Sequence, residues 1–165
     1  MTHYTEMKVT GLTIDPFTSM PIIILKDKEE KQALPIWIGL IEASAIATEL
    51  EHIQLSRPMT HDLLKNVLDS MNIKVSKVMV TELRDNTFYA KIVLDNNGKE
   101  SDMDARPSDA IALALRTKSP IFVEKDVIDK SRKIDLASTE GDEKSQKLAE
   151  ILENLSPDDF GKYKM

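Results

Sequence analysis

The period of the apolar residues along this chain changes twice in the same way. Three short, strand-like stretches come first, at residues 7–14, 21–25 and 34–38, and turn-forming or charged residues separate them. After Gly39 the apolar residues recur at helical spacing. Three further strand-like stretches, at residues 75–83, 88–94 and 100–105, again lead into an apolar helix. The pattern predicts an α+β fold built from two copies of a strand-strand-strand-helix unit.

The helices of the two units also share residues at a constant offset. Ala45-Ile46-Ala47 matches Ala110-Ile111-Ala112, and Leu50 falls on Leu115, each 65 residues apart. A match this short and rich in alanine also arises by chance, so the shared order of elements carries most of the argument for duplication. We expect a mixed, strand-rich core flanked by helices. The polar stretch at 100–105 suits an edge strand or a strand that lines a site.

Composition sets the extent of the domain. Hydrophobic residues make up 41% of the 165, enough for one core, which we place at residues 1–128. A polar linker is predicted at 129–141. Residues 142–165 are predicted to form a short helix and tail, because Leu148, Ile151, Leu152 and Leu155 recur at helical spacing.

Charge and targeting signals narrow the class of protein. The chain has no Cys, which excludes disulfides and a thiolate nucleophile. It carries 22 basic and 28 acidic residues, a net charge of −6, and no basic tail, so tight non-specific binding of nucleic acid is not expected without a metal. No apolar run is long enough to span a membrane, and no signal peptide is recognisable, so we expect a cytoplasmic location and no membrane partner.

Two Arg-Pro segments, at residues 57–62 and 104–109, are the best candidates for chemistry. In each, the Arg-Pro pair is followed by a hydroxyl residue able to cap a helix and then by an Asp in the first turn. Helix N-termini and guanidinium groups both bind phosphate oxygens. The phosphate-binding candidates are therefore Arg57, Thr60, Arg106 and Ser108. The alternative is that each Arg pairs with a nearby Asp to fix its loop, while Thr60 and Ser108 only cap their helices.

One histidine and several carboxylates near element ends are candidates for catalysis. His61 suits a general acid, a general base or a metal ligand, although a histidine at a helix start is often just a partly exposed surface residue. If three carboxylates converge, they would bind Mg²⁺ or Mn²⁺, as in phosphodiester hydrolysis. The carboxylates considered are Glu42, Asp62, Asp102, Asp104 and Asp109; of these, Glu42, Asp62, Asp104 and Asp109 are the metal candidates. The catalytic candidates are His61, Asp104 and Asp109.

Other signatures of chemistry are missing from the sequence. The glycine-rich motifs of nucleotide and dinucleotide binding do not occur, and no organic cofactor is expected. Trp37 lies in an apolar run, where core packing explains it better than base stacking does.

Four motifs in order resemble the bifunctional nuclease domain family. They are Leu34-Pro35-Ile36-Trp37-Ile38-Gly39 with Glu42-Ala43, then Arg57-Pro58-Met59-Thr60-His61-Asp62-Leu63-Leu64, then Asp104-Ala105-Arg106-Pro107-Ser108-Asp109 with the apolar helix to Arg116, and Pro120-Ile121-Phe122-Val123. The resemblance covers about residues 6–128. It implies an α+β domain, often self-associating, with a nuclease activity on DNA and RNA that is attributed to plant members.

These observations support three hypotheses. The first is a metal-dependent nuclease that cuts DNA and RNA and forms a homodimer or higher homo-oligomer. The second is a non-catalytic regulatory module that binds an anion or a partner's carboxylate at the Arg-Pro helix starts, which the acidic net charge favours. The third is that the motifs are determinants of the fold and the function lies in a dimer surface.

Overall fold

A computed structural model describes residues 3–137 of the chain, and the side chains of residues 3–131. The strands are β1 (Tyr4–Ile14), β2 (Pro21–Asp27), β3 (Ala33–Trp37), β4 (Lys74–Arg84), β5 (Thr87–Asn96), β6 (Lys99–Ala105) and β7 (Ile121–Glu124). The helices are α1 (Leu40–Leu50), α2 (Thr60–Ser70), α3 (Pro107–Thr117) and α4 (Lys125–Ala137). The predicted order of two strand-strand-strand-helix units and the α+β class are confirmed.

All seven strands form one mixed sheet in the order β3-β2-β1-β7-β4-β5-β6. Each unit supplies an antiparallel meander, and β7 lies between the two meanders. β7 pairs antiparallel with β1 and parallel with β4, so the two meanders run in opposite directions. This is the arrangement that a two-fold relation between the units produces. The polar strand β6 is an edge strand, as predicted, and the other edge strand, β3, contains Pro35, which edges tolerate.

The first strand of each unit carries a β-bulge at a nearly equivalent position. The register of β1 shifts at Thr10, and that of β4 shifts at Ser76 and again at Thr81. At each shift the hydroxyl donates to a carbonyl of the neighbouring strand, over 3.3 Å from Thr10 to Ile24 and 3.1 Å from Ser76 to Val93. A bulge removes ladder hydrogen bonds, and these hydroxyls replace part of that pairing.

Helices α1 and α3 pack against each other and on the same face of the sheet. α3 is buried on nearly every side, as its uniform apolar composition predicts. Ile46 of α1 and Ile111 of α3 are fully buried, and burying one such side chain stabilises the fold by about 1.5–3 kcal/mol. The starts of α1, α2 and α3 are thereby held close together.

Helix α2 packs differently, because none of its residues is fully buried. Its contacts are with α3, while Leu63, Leu64, Val67 and Met71 remain exposed. We refer to these four residues as the α2 apolar face. An amphipathic helix of three turns has little stability of its own, so the packing of Leu68 on the core and polar contacts with α3 must together hold α2 in place.

Three expectations about element ends differ from the structure. The N-cap residues are Met59 and Arg106, so Thr60 and Ser108 lie inside the first turns and do not cap their helices. Pro107 occupies the first helical position of α3, where its missing N–H costs nothing. Residues 129–137 of the predicted linker are helical, since α4 continues to Ala137.

The predicted C-terminal helix and tail lie outside the described residues. Within those residues, no helix is both long and apolar enough to cross a membrane.

Candidate functional site

A chain of ion pairs joins the starts of all three central helices. His61 in the first turn of α2 hydrogen-bonds through Nε2 to Asp109 Oδ1 in the first turn of α3, over 2.9 Å. The other oxygen of Asp109 accepts from Arg106 Nε at 2.8 Å, and an Arg106 terminal nitrogen donates to Glu42 of α1, also at 2.8 Å. We call this series, Glu42, Arg106, Asp109 and His61, the ionic chain.

The protonation state of Asp109 fixes the tautomer of His61. Burial raises the pKa of Asp109, but the hydrogen bonds and positive charges of Arg106 and His61 outweigh it, so its pKa lies below the ordinary value. An ionised carboxylate only accepts hydrogen bonds, and Nε2 of His61 must therefore carry the proton. In the neutral ring, Nδ1 then holds the lone pair and is the atom that accepts a proton.

The members of the ionic chain differ in their exposure. The side chain of His61 is only 15% exposed, whereas that of Arg106 is 63% exposed. An exposed ion pair contributes about 0–1 kcal/mol, because water screens it. Arg106 is thus free, at little energetic cost, to exchange Glu42 for another anion.

A second cluster, next to the first, is buried and structural. The guanidinium of Arg116 in α3 donates to Asp62 of α2 at 2.7 Å, to the Ala45 carbonyl of α1 at 3.0 Å and to the Ala112 carbonyl at 2.9 Å. Its side chain is 3% exposed. Arg116 therefore fixes α2 to α1 and α3, and it does so through the residue next to His61.

Both carboxylate oxygens of Asp62 accept hydrogen bonds. One of its oxygens accepts from Arg116, and the other accepts from the Met59 backbone N–H at 3.0 Å. Burial raises the pKa of Asp62. The hydrogen bonds from Met59 and Arg116 and the positive charge of Arg116 lower it by more, so the pKa lies below the ordinary value. Asp62 thus takes over the capping of α2 that Thr60 was expected to provide.

A cavity of about 260 Å³, the site cavity, opens between α1, α2 and α3 beside the ionic chain. Its polar wall includes Glu42, Thr60, His61, Arg106 and Asp109, and its apolar wall includes Ile41, Ala45, Leu55 and Met59. A largely apolar pocket with a few convergent polar groups is the usual form of a binding site.

Gly39, the residue before α1, gives Glu42 the room to join the ionic chain. A side-chain carbon added at Gly39 would collide with the Glu42 carboxylate. Because the colliding atoms are at the end of a flexible side chain, a larger residue at position 39 would displace the Glu42 carboxylate and would not strain the backbone.

The structure brings together some of the predicted site residues and separates others. His61, Asp109, Arg106 and Glu42 form the ionic chain, and Thr60 lines the same cavity. Ser108 is buried at the start of α3 and lines a different cavity. Arg57 lies in the exposed loop before α2 and makes no ion pair with the residues that the structure describes.

Asp102 and Asp104 lie on the exposed edge strand β6, apart from the ionic chain. Asp102 pairs with Lys91 at 2.8 Å, and Asp104 is opposite Lys91 in the strand register. Neither residue lines a cavity described here.

The arrangement of the carboxylates bears directly on the predicted metal site. Within the described part of the chain, no three His, Asp or Glu side chains are grouped so as to hold a metal ion. The guanidinium of Arg106 binds both Glu42 and Asp109, and Arg116 binds Asp62. Residues held by cations in this way do not fit a shared Mg²⁺ or Mn²⁺ site, which needs several free oxygen ligands.

Arg116 is the residue that sequence reasoning missed. The signal was present, because a lone arginine lies in the last turn of a helix whose central residues, 110–115, are all apolar. A cation in a buried helix requires an internal partner.

The family model of the bifunctional nuclease domain matches residues 23–135. An uncharacterised protein of Mycobacterium tuberculosis is 36% identical over 164 residues, which cover 94% of this chain and 97% of the relative. Bifunctional nuclease 1 of Arabidopsis thaliana is 32% identical over 119 residues, which cover 70% of this chain but 37% of the plant protein. The chain belongs to the bifunctional nuclease domain family.

Proposed function

We propose that this protein is a nuclease that hydrolyses phosphodiester bonds of DNA and RNA at the ionic chain. The observation that carries the proposal is the hydrogen bond of 2.9 Å between His61 and Asp109, beside Arg106 at the edge of the site cavity. A histidine oriented by a carboxylate is the usual arrangement of a general base, and an adjacent guanidinium suits a phosphate. The names of the plant relatives agree with this activity.

Each residue has a role in the proposed reaction. Arg106 leaves Glu42 and binds a non-bridging oxygen of the scissile phosphate. Nδ1 of His61 takes a proton from a water molecule as the water oxygen bonds to phosphorus. The bond from phosphorus to the leaving oxygen then breaks, and that oxygen takes a proton from solvent. Asp109 stabilises the positive charge that His61 acquires.

The divalent-metal requirement predicted from the sequence stays a prediction. Because Arg106 binds Glu42 and Asp109, and Arg116 binds Asp62, the proposed reaction does not use a metal ion. Cleavage measured with added Mn²⁺ and, separately, with a chelator tests the requirement directly.

The proposal predicts cleavage that depends on Arg106. Purified protein should cut single-stranded RNA and DNA, and Arg106→Gln should lower the rate by about 10²-fold, the usual effect of removing one group that stabilises transition-state charge. Lys31→Gln removes the same charge from an exposed pair with Glu29, at the opposite end of β3, and should leave the rate unchanged. Equal rates for Arg106→Gln and wild type would assign the cleavage to a contaminant.

The alternative is a non-catalytic module that binds an anion or a partner's carboxylate at the same helix starts. The paired state of the carboxylates and the net charge of −6 favour it. A protein that binds an oligonucleotide through Arg106 and leaves it intact, with and without Mn²⁺, would be this module and not a nuclease.

We also propose that the α2 apolar face binds a second copy of the chain. Exposed apolar surface of this kind is normally covered by a partner. The ion pair between Lys65 and Asp69, 2.8 Å apart, lies on the opposite side of α2, so these charges do not interrupt the apolar face. Leu63, Leu64, Val67 and Met71 lie on one side of α2 at about 3.6 residues per turn, and an antiparallel, two-fold pairing of two α2 helices would bury both apolar faces against each other.

The self-association predicts a mass change on substitution. Val67→Glu should reduce the oligomer to a monomer in light scattering after gel filtration, because the glutamate would be buried without a partner. Met103→Glu, on an exposed apolar residue of β6, should keep the mass of the wild type. A monomeric wild type, or a Val67→Glu variant of unchanged mass, would contradict the proposal.

A further inference from the structure

A second cavity lies on the other side of the ion pair between Arg106 and Glu42. Its volume is about 270 Å³, and Arg106 and Glu42 contribute to the walls of both cavities. The other residues that matter here are Trp37 at the end of β3, Asn86 and Phe88 at the β4–β5 hairpin, and Ser108 of α3. We call it the Trp37 cavity.

Trp37 is only partly buried and is fixed in orientation, which differs from the core packing expected from the sequence. Its indole N–H donates to Asp15 Oδ2 at 2.9 Å. The other oxygen of Asp15 accepts from the Phe17 backbone N–H at 2.9 Å, so the turn after β1 holds the carboxylate in place. A side chain that is already ordered loses little conformational entropy when a ligand packs on it.

The opposite wall is also preformed. Asp85 and Asn86 both have positive φ, at 52° and 59°, which is the conformation of a tight two-residue hairpin turn. The turn sets Phe88 at the start of β5, where it lines the cavity while packing partly on the core. The lining of this cavity therefore includes two fixed aromatic residues, one side-chain amide and two hydroxyl residues.

The chemistry of the walls specifies a class of ligand. Aromatic surfaces with a few polar groups suit a flat heteroaromatic ring, and the guanidinium of Arg106 at the edge suits an anion joined to that ring. A nucleotide has both parts. A base in a duplex is stacked and paired and cannot enter such a cavity, so the ligand is single-stranded or has an extruded base.

We propose that the Trp37 cavity is a nucleobase subsite, in which one base of single-stranded nucleic acid stacks on Trp37 while Arg106 holds the adjoining phosphate. The inference rests on the proposed function for its substrate class. It adds where the substrate strand lies: over the Arg106–Glu42 pair, with the base on one side and His61 on the other.

The subsite is testable because Trp37 is the only tryptophan of the chain. 5′-AMP should quench its fluorescence in a saturable way, whereas ribose 5-phosphate, which has the phosphate but no base, should not. Phe88→Leu keeps an apolar side chain but removes a ring on which a base packs, so it should weaken 5′-AMP binding about tenfold. Tyr89→Leu removes an aromatic residue from the neighbouring position of β5 and should leave the binding unchanged.

The outcome separates this inference from the proposed activity. 5′-AMP has no phosphodiester bond, so its binding does not depend on cleavage, and His61→Ala should still show the quenching. Quenching without any cleavage of RNA or DNA supports the subsite and counts against the nuclease. An absence of quenching in folded wild type, or equal quenching by ribose 5-phosphate, overturns the subsite even where cleavage is observed.

Discussion

Replacement of His61 by Ala should lower the rate of phosphodiester cleavage by about 10²- to 10⁴-fold, which is the usual contribution of a general base. The residue sits in the first turn of α2, 15% exposed, with Nε2 committed to Asp109. No other histidine takes part in the ionic chain. The measurement is the initial rate of cleavage of a labelled single-stranded RNA at saturating substrate, where the loss should appear in kcat.

Two companion variants make this result specific. His3→Ala removes an exposed histidine outside the site and should retain the full rate. Asp109→Asn should also lower the rate, but the double variant His61→Ala with Asp109→Asn should be no slower than His61→Ala, because residues that act as one unit are not additive. A His61→Ala enzyme with the wild-type rate would remove His61 from the mechanism.

Asp62→Ala should lower the free energy of unfolding by about 3–5 kcal/mol, the usual cost of leaving a buried charge without its partner. Arg116 is 3% exposed, and Asp62 is its only carboxylate partner among the described residues. The substitution also removes the hydrogen bond that caps α2 at Met59. Urea denaturation followed by circular dichroism gives the quantity directly, and hydrogen exchange should show α2 opening first.

The controls use the same helix. Asp69→Ala breaks the exposed pair with Lys65 and should cost less than about 1 kcal/mol. The double variant Asp62→Leu with Arg116→Met replaces the buried pair by apolar residues and should recover most of the lost stability. Equal effects of Asp62→Ala and Asp69→Ala would show that the buried pair has no special role.

The local pattern of apolar residues predicted most of the strands and helices, because the periods of both depend only on residues close in sequence. The alternation at 100–105 indicated an edge strand, and the uniform apolar composition of α3 indicated burial. The position of β7 could not be predicted in the same way. It depends on pairing between β7 and strands more than 40 residues away, which no local period encodes.

The candidate site was also predicted only in part from the sequence. The two Arg-Pro helix starts indicated where the polar residues meet, and the ionic chain includes His61, Arg106 and Asp109 from them. The prediction that Thr60 and Ser108 are N-caps was wrong. In α2 the N-cap is Met59, whose backbone N–H donates to Asp62, and in α3 the N-cap is Arg106, which precedes Pro107. Which carboxylate binds which arginine depends on helix packing, and sequence spacing does not contain that information.

The central place of β7 has a consequence for how this chain reaches its native state. Within the part of the chain that the structure describes, β7 is the last strand to be synthesised, yet it joins the two meanders, with Tyr4 of β1 opposite Glu124. Until that segment leaves the ribosome, β1 and β4 each present an unpaired edge to other nascent chains. Contacts this distant in sequence also slow the search for the native pairing. Completion of the sheet must therefore wait for the insertion of a single four-residue strand, and until then the two open edges favour aggregation.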